Sequence, residues 1–371
     1  MKVEKSSKSE HKNKTLRVKL LISAAVIFLL LIIFFVHNKP YSESESAIIK
    51  AAARQLNKDP NEFSKKDFAR ITELCVAEKR FVQILPGGKY ETYMKTELSD
   101  IKLLAKFVNL EVLDLSYLSC PPETPTFDLS PIKELTKLRI LKIDNTPIDD
   151  ITPLADLTNL ESLTLSRKTH ISDINALTGL TRLESLDLSY TQISDIKLLA
   201  GFTKLESLKL NNNQISDITP LAGLTNLKSL DLSNTQISDF KPLAGLTKLE
   251  SLTLNNSQIS DFGTLKELTN LHELSLFRAN ISDLEPISGL TNLLKLNLDG
   301  TQISALQPLR DLTNLQELYI SNTAVANLEP IKGLTNLKSL RIQLCNNISD
   351  TQVEELQKAL PNLSILRALL E

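Results

Sequence analysis

Between Leu183 and Leu337 the apolar and polar positions recur with a fixed period. Read from Leu205, the chain runs L-E-S-L-K-L-N-N-N-Q-I-S-D-I-T-P-L-A-G-L-T-N and begins again at Leu227. The opening leucine returns at Leu183, Leu205, Leu227, Leu249, Leu271, Leu293, Leu315 and Leu337, and every gap is 22 residues. Alternation within L-x-x-L-x-L predicts a short strand with one buried face. Ile215 and Ile218 then turn inward, and Pro220 suits the start of a short helical turn, where its missing N–H is not needed. Leu221 and Leu224 close the coil on its far side. One unit cannot bury this apolar edge alone, whereas stacked neighbours can. The expected fold is therefore an α/β-type solenoid, a right-handed horseshoe with a parallel sheet on the concave face and short 3-10 or helical turns on the convex face.

Two polar columns accompany the apolar ones. Eight residues after the first leucine stand Thr146, Thr191, Asn213, Thr235, Ser257, Thr301 and Thr323, with Ala279 breaking the series. Small hydrogen-bonding side chains there can satisfy backbone groups that a tight turn strands. Further round come Asp150, Asp173, Asp195, Asp217, Asp239, Asp261 and Asp283. Stacked at one strand spacing, roughly 4.8 Å, such carboxylates repel by about 1 kcal/mol per neighbour even in water. They are expected to persist because each accepts turn N–H groups. A calcium ladder is the sharper rival, but one Asp per coil is thin for a cation that gathers several oxygens.

Units of the form L-x-x-L-x-L-x-x-[N/T]-x-I-S-D-I-x-P-L-A-G-L-T-N resemble the bacterial internalin-type, 22-residue class of leucine-rich repeat. The resemblance covers the chain from about Ile71 onward. It implies a non-enzymatic recognition protein, often at a cell surface. Unlike surface internalins, the sequence shows no sorting motif or hydrophobic anchor ahead of Glu371. The repeat can be traced backward to Ile71, Leu110, Leu138 and Leu160 and forward to Leu360, which predicts thirteen strands. The repeats thus occupy residues 71–349, with inserts at about 77–97 and 119–125. Pro86-Gly87-Gly88 between two β-prone runs predicts a hairpin in the first insert. Residues 47–70 are expected to form a helical cap, with Pro60 as a stop signal and Ser64-Lys65-Lys66-Asp67 as a capping box. Residues 350–371 supply a closing helix and a last strand.

The N-terminus differs in kind. Residues 1–19 hold seven Lys or Arg against Glu4 and Glu10, a balance of +5. Residues 20–36 are apolar except for Ser23 and span roughly 25 Å as a helix, near the lower limit for crossing a bilayer. Basic residues before this segment and Glu43 and Glu45 after it favour a signal anchor with a cytoplasmic N-terminus. Residues 37–46 act as linker. A cleaved secretory signal is the rival, with Ala51-Ala52-Ala53 the only matching letters and too far downstream. With the whole chain at −2, the part beyond residue 19 carries −7, which disfavours nucleic acid as a ligand. Three cysteines cannot build a disulfide framework. Cys345 reads as a small buried thiol in the Thr/Asn column, and a Cys75–Cys120 bridge stays open.

Catalytic chemistry is hard to find. The four histidines are scattered, with His170 and His272 five coils apart, and no phosphate loop, dinucleotide fingerprint, zinc motif or nucleophile–base pair is present. The expectation is no enzyme, no cofactor, no metal and no small-molecule substrate. Recognition is then the work of the sheet face. Outward positions of the middle coils are small or charged, whereas Phe277, Arg278, Lys295, Tyr319 and Arg341 bring in the side-chain types that carry interface energy. A protein partner is expected there. A second candidate joins Tyr90 and Tyr93 to Tyr117, Arg167 and Tyr190. A structural, self-assembling envelope protein and a secreted adhesin or effector are the competing readings.

Overall fold

The computed structural model describes residues 42–367 apart from 77, 84–88, 95, 124, 168, 259 and 260, and no side chain between 77 and 97. The chain divides into two units, residues 1–46 and 47–371. The expected anchor at 20–36 lies outside the described residues, among which no helix is long and apolar enough to cross a membrane.

The second unit is built on one thirteen-stranded parallel sheet whose strands follow chain order from Glu73–Cys75 to Ser364–Leu366. Neighbouring strands pair in strict register: Leu186, Leu208, Leu230 and Leu252 stand side by side on consecutive rungs. Pairing of this kind fixes which side chains face inward, since a one-residue slip would turn every leucine outward. The inward leucines and the Ile and Leu of the return path form a single continuous core, with most members below 2% exposure. Short 3-10 turns such as Thr219–Leu221 carry the chain back, and Pro220 stands in the first two positions of that turn.

The Asp column is explained by the turns. Oδ1 of Asp150, Asp173, Asp195, Asp217, Asp239, Asp261 and Asp283 accepts the N–H two residues on, at 2.8–3.0 Å, and so closes the bend that leads into each 3-10 turn. A further ladder carries no signal beyond its recurrence: Nδ2 of Asn159, Asn226, Asn270, Asn292, Asn314 and Asn336 donates to the carbonyl of the Thr 23 residues earlier, at 2.8–2.9 Å. Each of these six coils is thereby stitched to its predecessor by backbone that would otherwise go unpaired. Cys345 does take a place in the Thr/Asn column, where its Sγ lies 3.0 Å from the Ile320 carbonyl oxygen.

At the N-terminal end a helix runs Glu43–Gln55 (α1), earlier than Ala47 because Glu43 and Glu45 favour its positive end. From Ala47 onward its Ile48, Ile49, Ala51 and Ala52 join the core. Pro60 does not stop a helix but opens a 3-10 turn, Pro60–Glu62, whose N-cap Asp59 accepts the Asn61 N–H at 2.8 Å. The capping-box pair is made in half: Oδ2 of Asp67 accepts both the N–H (2.8 Å) and the hydroxyl (2.7 Å) of Ser64, ahead of a short turn, Phe68–Arg70. Strands Glu78–Gln83 and Lys89–Met94 pair antiparallel as the predicted hairpin, its turn lying outside the described residues. Cys120 is a free thiol, so the Cys75–Cys120 bridge is not formed, and burial pushes that thiol up to about 11. At the other end Ser349 caps the helix Asp350–Ala359 (α2) by accepting the Gln352 N–H.

Asp67 is the most heavily engaged carboxylate of the N-terminal cap. The Ser64 hydroxyl, then Lys58 Nζ at 2.9 Å, hold it far below the usual carboxylate range. Its stabilisation is therefore complete above the unfolded value of roughly 3.9 and is lost as pH falls through the folded one. Urea unfolding of wild type and Asp67→Asn is expected to differ clearly at pH 7, and the gap is expected to shrink below about pH 4 and to close only towards the much lower folded value. A gap of the same size at pH 3 would show that the carboxylate charge is not what stabilises the cap.

Candidate functional site

Each rung presents two strand positions outward, as Ser207 and Lys209 do, followed by a third, Asn211, and by a residue in the left-handed region, Asn212 (φ 60°). That last column runs Tyr117, Asn145, Arg167, Tyr190, Asn212, Asn234, Asn256, Arg278, Gly300, Asn322 and Leu344, all with φ between 53° and 72°. Asn and Gly tolerate this conformation, whereas a bulky side chain pays about 1 kcal/mol or more for it. Bulky residues occur at Tyr117, Arg167, Tyr190, Arg278 and Leu344, on either side of plain polar rungs from Ser207 to Asn256.

The structure gathers all five candidates into contacts on the later rungs, as two separate groups. Phe277 is set by its N–H donating to Asn255 Oδ1 (3.0 Å), and the Arg278 guanidinium lies over its ring with Cζ 5.0 Å from the centroid. Gly300 (φ 72°) makes room for that arginine, since a Cβ there would lie 2.9 Å from Arg278 Cγ. Two rungs on, Tyr319 is covered on both sides, by Arg341 (4.1 Å to the centroid) and Lys295 (5.7 Å). Its hydroxyl donates to Glu317, which also pairs with Lys295 at 3.2 Å. The hydroxyl, then Lys295, hold Glu317 below its usual range, and the same bond pushes the Tyr319 phenol up. Tyr319 is only 9% exposed, so it is a platform for Arg341 and Lys295 and not an open anchor.

On the earlier rungs Arg167 lies 5.6 Å over the ring of Tyr190, which is 50% exposed. Beside them a hollow of about 330 Å³ is floored by Asp187, Ser189, Lys209, Asn211 and Asp231. Its cations are already matched: Arg167 stands 3.9 Å from Asp144, and Lys209 stands 3.6 Å from Asp187. The side chains of Tyr90 and Tyr93 lie outside the described residues.

Comparison with known proteins follows the same architecture. A family model of leucine-rich repeats in two copies matches residues 181–223, 225–267 and 313–358. Among solved structures, an internalin (inlF) of Listeria monocytogenes is 30% identical, with a TM-score of 0.68 over 88% of this chain and 95% of that one. The chain belongs to the internalin family. A second Listeria internalin, inlC2, is 31% identical over 62% of this chain and 92% of its own, with a TM-score of 0.53. A leucine-rich repeat protein of Leptospira interrogans is 25% identical over 73% and 76%, with a TM-score of 0.59. No protein of curated function matches the chain.

Among the described residues no three His, Cys, Asp or Glu side chains gather closely enough to hold a metal ion. The residues sequence reasoning missed are Leu344, 57% exposed in the left-handed column, and Glu317, which locks Tyr319 and Lys295 together. Leu344 could have been found from the Asn and Gly that fill its column on the regular rungs.

Proposed function

We propose that this chain is a non-enzymatic recognition protein that binds a protein partner through the sheet face, the concave side of its horseshoe. Residues 20–36 hold it in a membrane with the repeats on the extracytoplasmic side. The observation that carries the reading is the uneven chemistry of that face. Rungs from Ser207 to Asn256 present Ser, Thr, Asn, Lys and Asp, whereas the later rungs present Phe277, Arg278, Lys295, Tyr319, Arg341 and Leu344. Bulky residues kept at backbone conformations that disfavour them point to use rather than stability. Aromatic and Arg side chains dominate interface energies, and membership of the internalin family supports the same role. The anchor rests on seventeen consecutive residues, apolar but for Ser23, behind a basic stretch.

The test is a pull-down with the detergent-solubilised full chain, wild type against Phe277→Ala with Arg278→Ala. Partners retained by wild type are expected to be lost, with an affinity drop of at least about tenfold. Equal recovery by both proteins would refute the assignment of the face. Protease added to intact cells is expected to remove the repeats and spare residues 1–19; full protection would refute the topology.

A further inference from the structure

We infer that Arg278 and Arg341 receive carboxylates, so that the partner meets this face with a short acidic segment of its chain. The inference rests on the protein-recognition reading and narrows it. Arg70, Arg139, Arg167, Arg182, Arg310 and Arg367 each stand against a carboxylate of this chain. Arg278 and Arg341 have no ion pair among the described residues and are held by rings instead, those of Phe277 (5.0 Å) and Tyr319 (4.1 Å). A ring beneath a guanidinium takes none of its N–H donors in an ion pair, which leaves them for a planar, bidentate acceptor.

The acids around them are otherwise engaged. Glu317 is held by Lys295 and the Tyr319 hydroxyl, with Arg341 acting on it only at longer range, and Asp299 accepts the Ser321 N–H at 2.5 Å. Tyr190 and Arg167 form a similar ring–guanidinium pair, but there Asp144 completes the arginine. The contrast singles out the later rungs. Arg278 and Arg341 sit three rungs apart, at least roughly 14 Å, too far for one carboxylate to serve both. A matching segment must therefore carry two acidic side chains, about four residues apart if extended. A short segment is favoured over a polyanion because the chain beyond residue 19 carries −7.

The purified full chain is used to select from a random linear peptide library, and the enriched peptides are measured by fluorescence anisotropy. Wild type is expected to enrich peptides with two Asp or Glu at that spacing. Arg278→Gln and Arg341→Gln are each expected to weaken them by about tenfold or more, as is changing the peptide's acids to amides. Arg→Lys at either position is expected to restore only part of the loss, because the charge returns without the bidentate edge. Unchanged urea midpoints show that the variants fold. Enriched peptides without acidic bias that still depend on Phe277 would overturn the carboxylate inference and leave recognition standing. No peptide dependent on Phe277 would overturn both. A single-stranded oligonucleotide that binds through both arginines while acidic peptides do not would also overturn it.

Discussion

Leu208→Ala is expected to destabilise the solenoid by about 3 kcal/mol and to split its urea transition in two. Leu208 is fully buried and stands in register between Leu186 and Leu230. Its truncation leaves a void that two flanking rungs line and cannot close, because both are pinned by the same strand pairing. A repeat protein touches only its neighbours, so its stability is a chain of local terms and a weakened interface acts as a break point. The rungs before and after Leu208 each number at least five, enough to stand as separate cooperative blocks. Ser207→Ala on the opposite face of the same strand is expected to shift stability by less than about 0.5 kcal/mol. The measurement is far-UV circular dichroism across a urea series, since the chain has no Trp. A single sharp transition at the wild-type midpoint would show that the core is not transmitted rung by rung.

The rungs themselves were legible. Thirteen strands, the buried leucine columns and the Asp turns all follow from a period that states which positions are apolar, and burial is what that pattern encodes. What the period does not encode is backbone conformation and contact between neighbouring side chains. The left-handed column shows in the sequence only as a recurrence of Asn and Gly, and the structure gives it meaning when Asn145, Asn212, Asn234, Asn256 and Gly300 line up with Tyr117, Arg167, Tyr190, Arg278 and Leu344. Tyr319 shows the second limit. Alternation places it outward, yet Arg341 and Lys295 from the adjoining strands close over it. Each of those contacts joins residues from different repeats, and a template of one repeat has no place for them. The ends obeyed local rules instead: α1 starts at Glu43 because of charge, and Pro60 begins a turn because Asp59 caps it.

Asn213→Ala is expected to cost about 3 kcal/mol, nearly as much as removing a core leucine, although Asn213 is polar. It is almost wholly buried, and its side chain joins two coils. Nδ2 donates to the carbonyls of Leu188 (2.8 Å) and Leu210 (3.0 Å), while Oδ1 accepts the Thr191 hydroxyl at 2.7 Å. Alanine strands the Leu210 carbonyl away from water, and a buried polar group without a partner loses about 1–3 kcal/mol. Asn213→Thr separates this account from simple loss of volume. At the same column Thr235, Thr301 and Thr323 each donate to the carbonyl three residues back, at 2.6–2.7 Å. A threonine at 213 can do the same for Leu210, and Thr191, already 2.8 Å from the Leu188 oxygen, can serve that carbonyl alone. The threonine variant is therefore expected to stay within about 1 kcal/mol of wild type by urea unfolding. If alanine and threonine are equally damaging, the column stabilises by shape and not by satisfying the backbone of the turn.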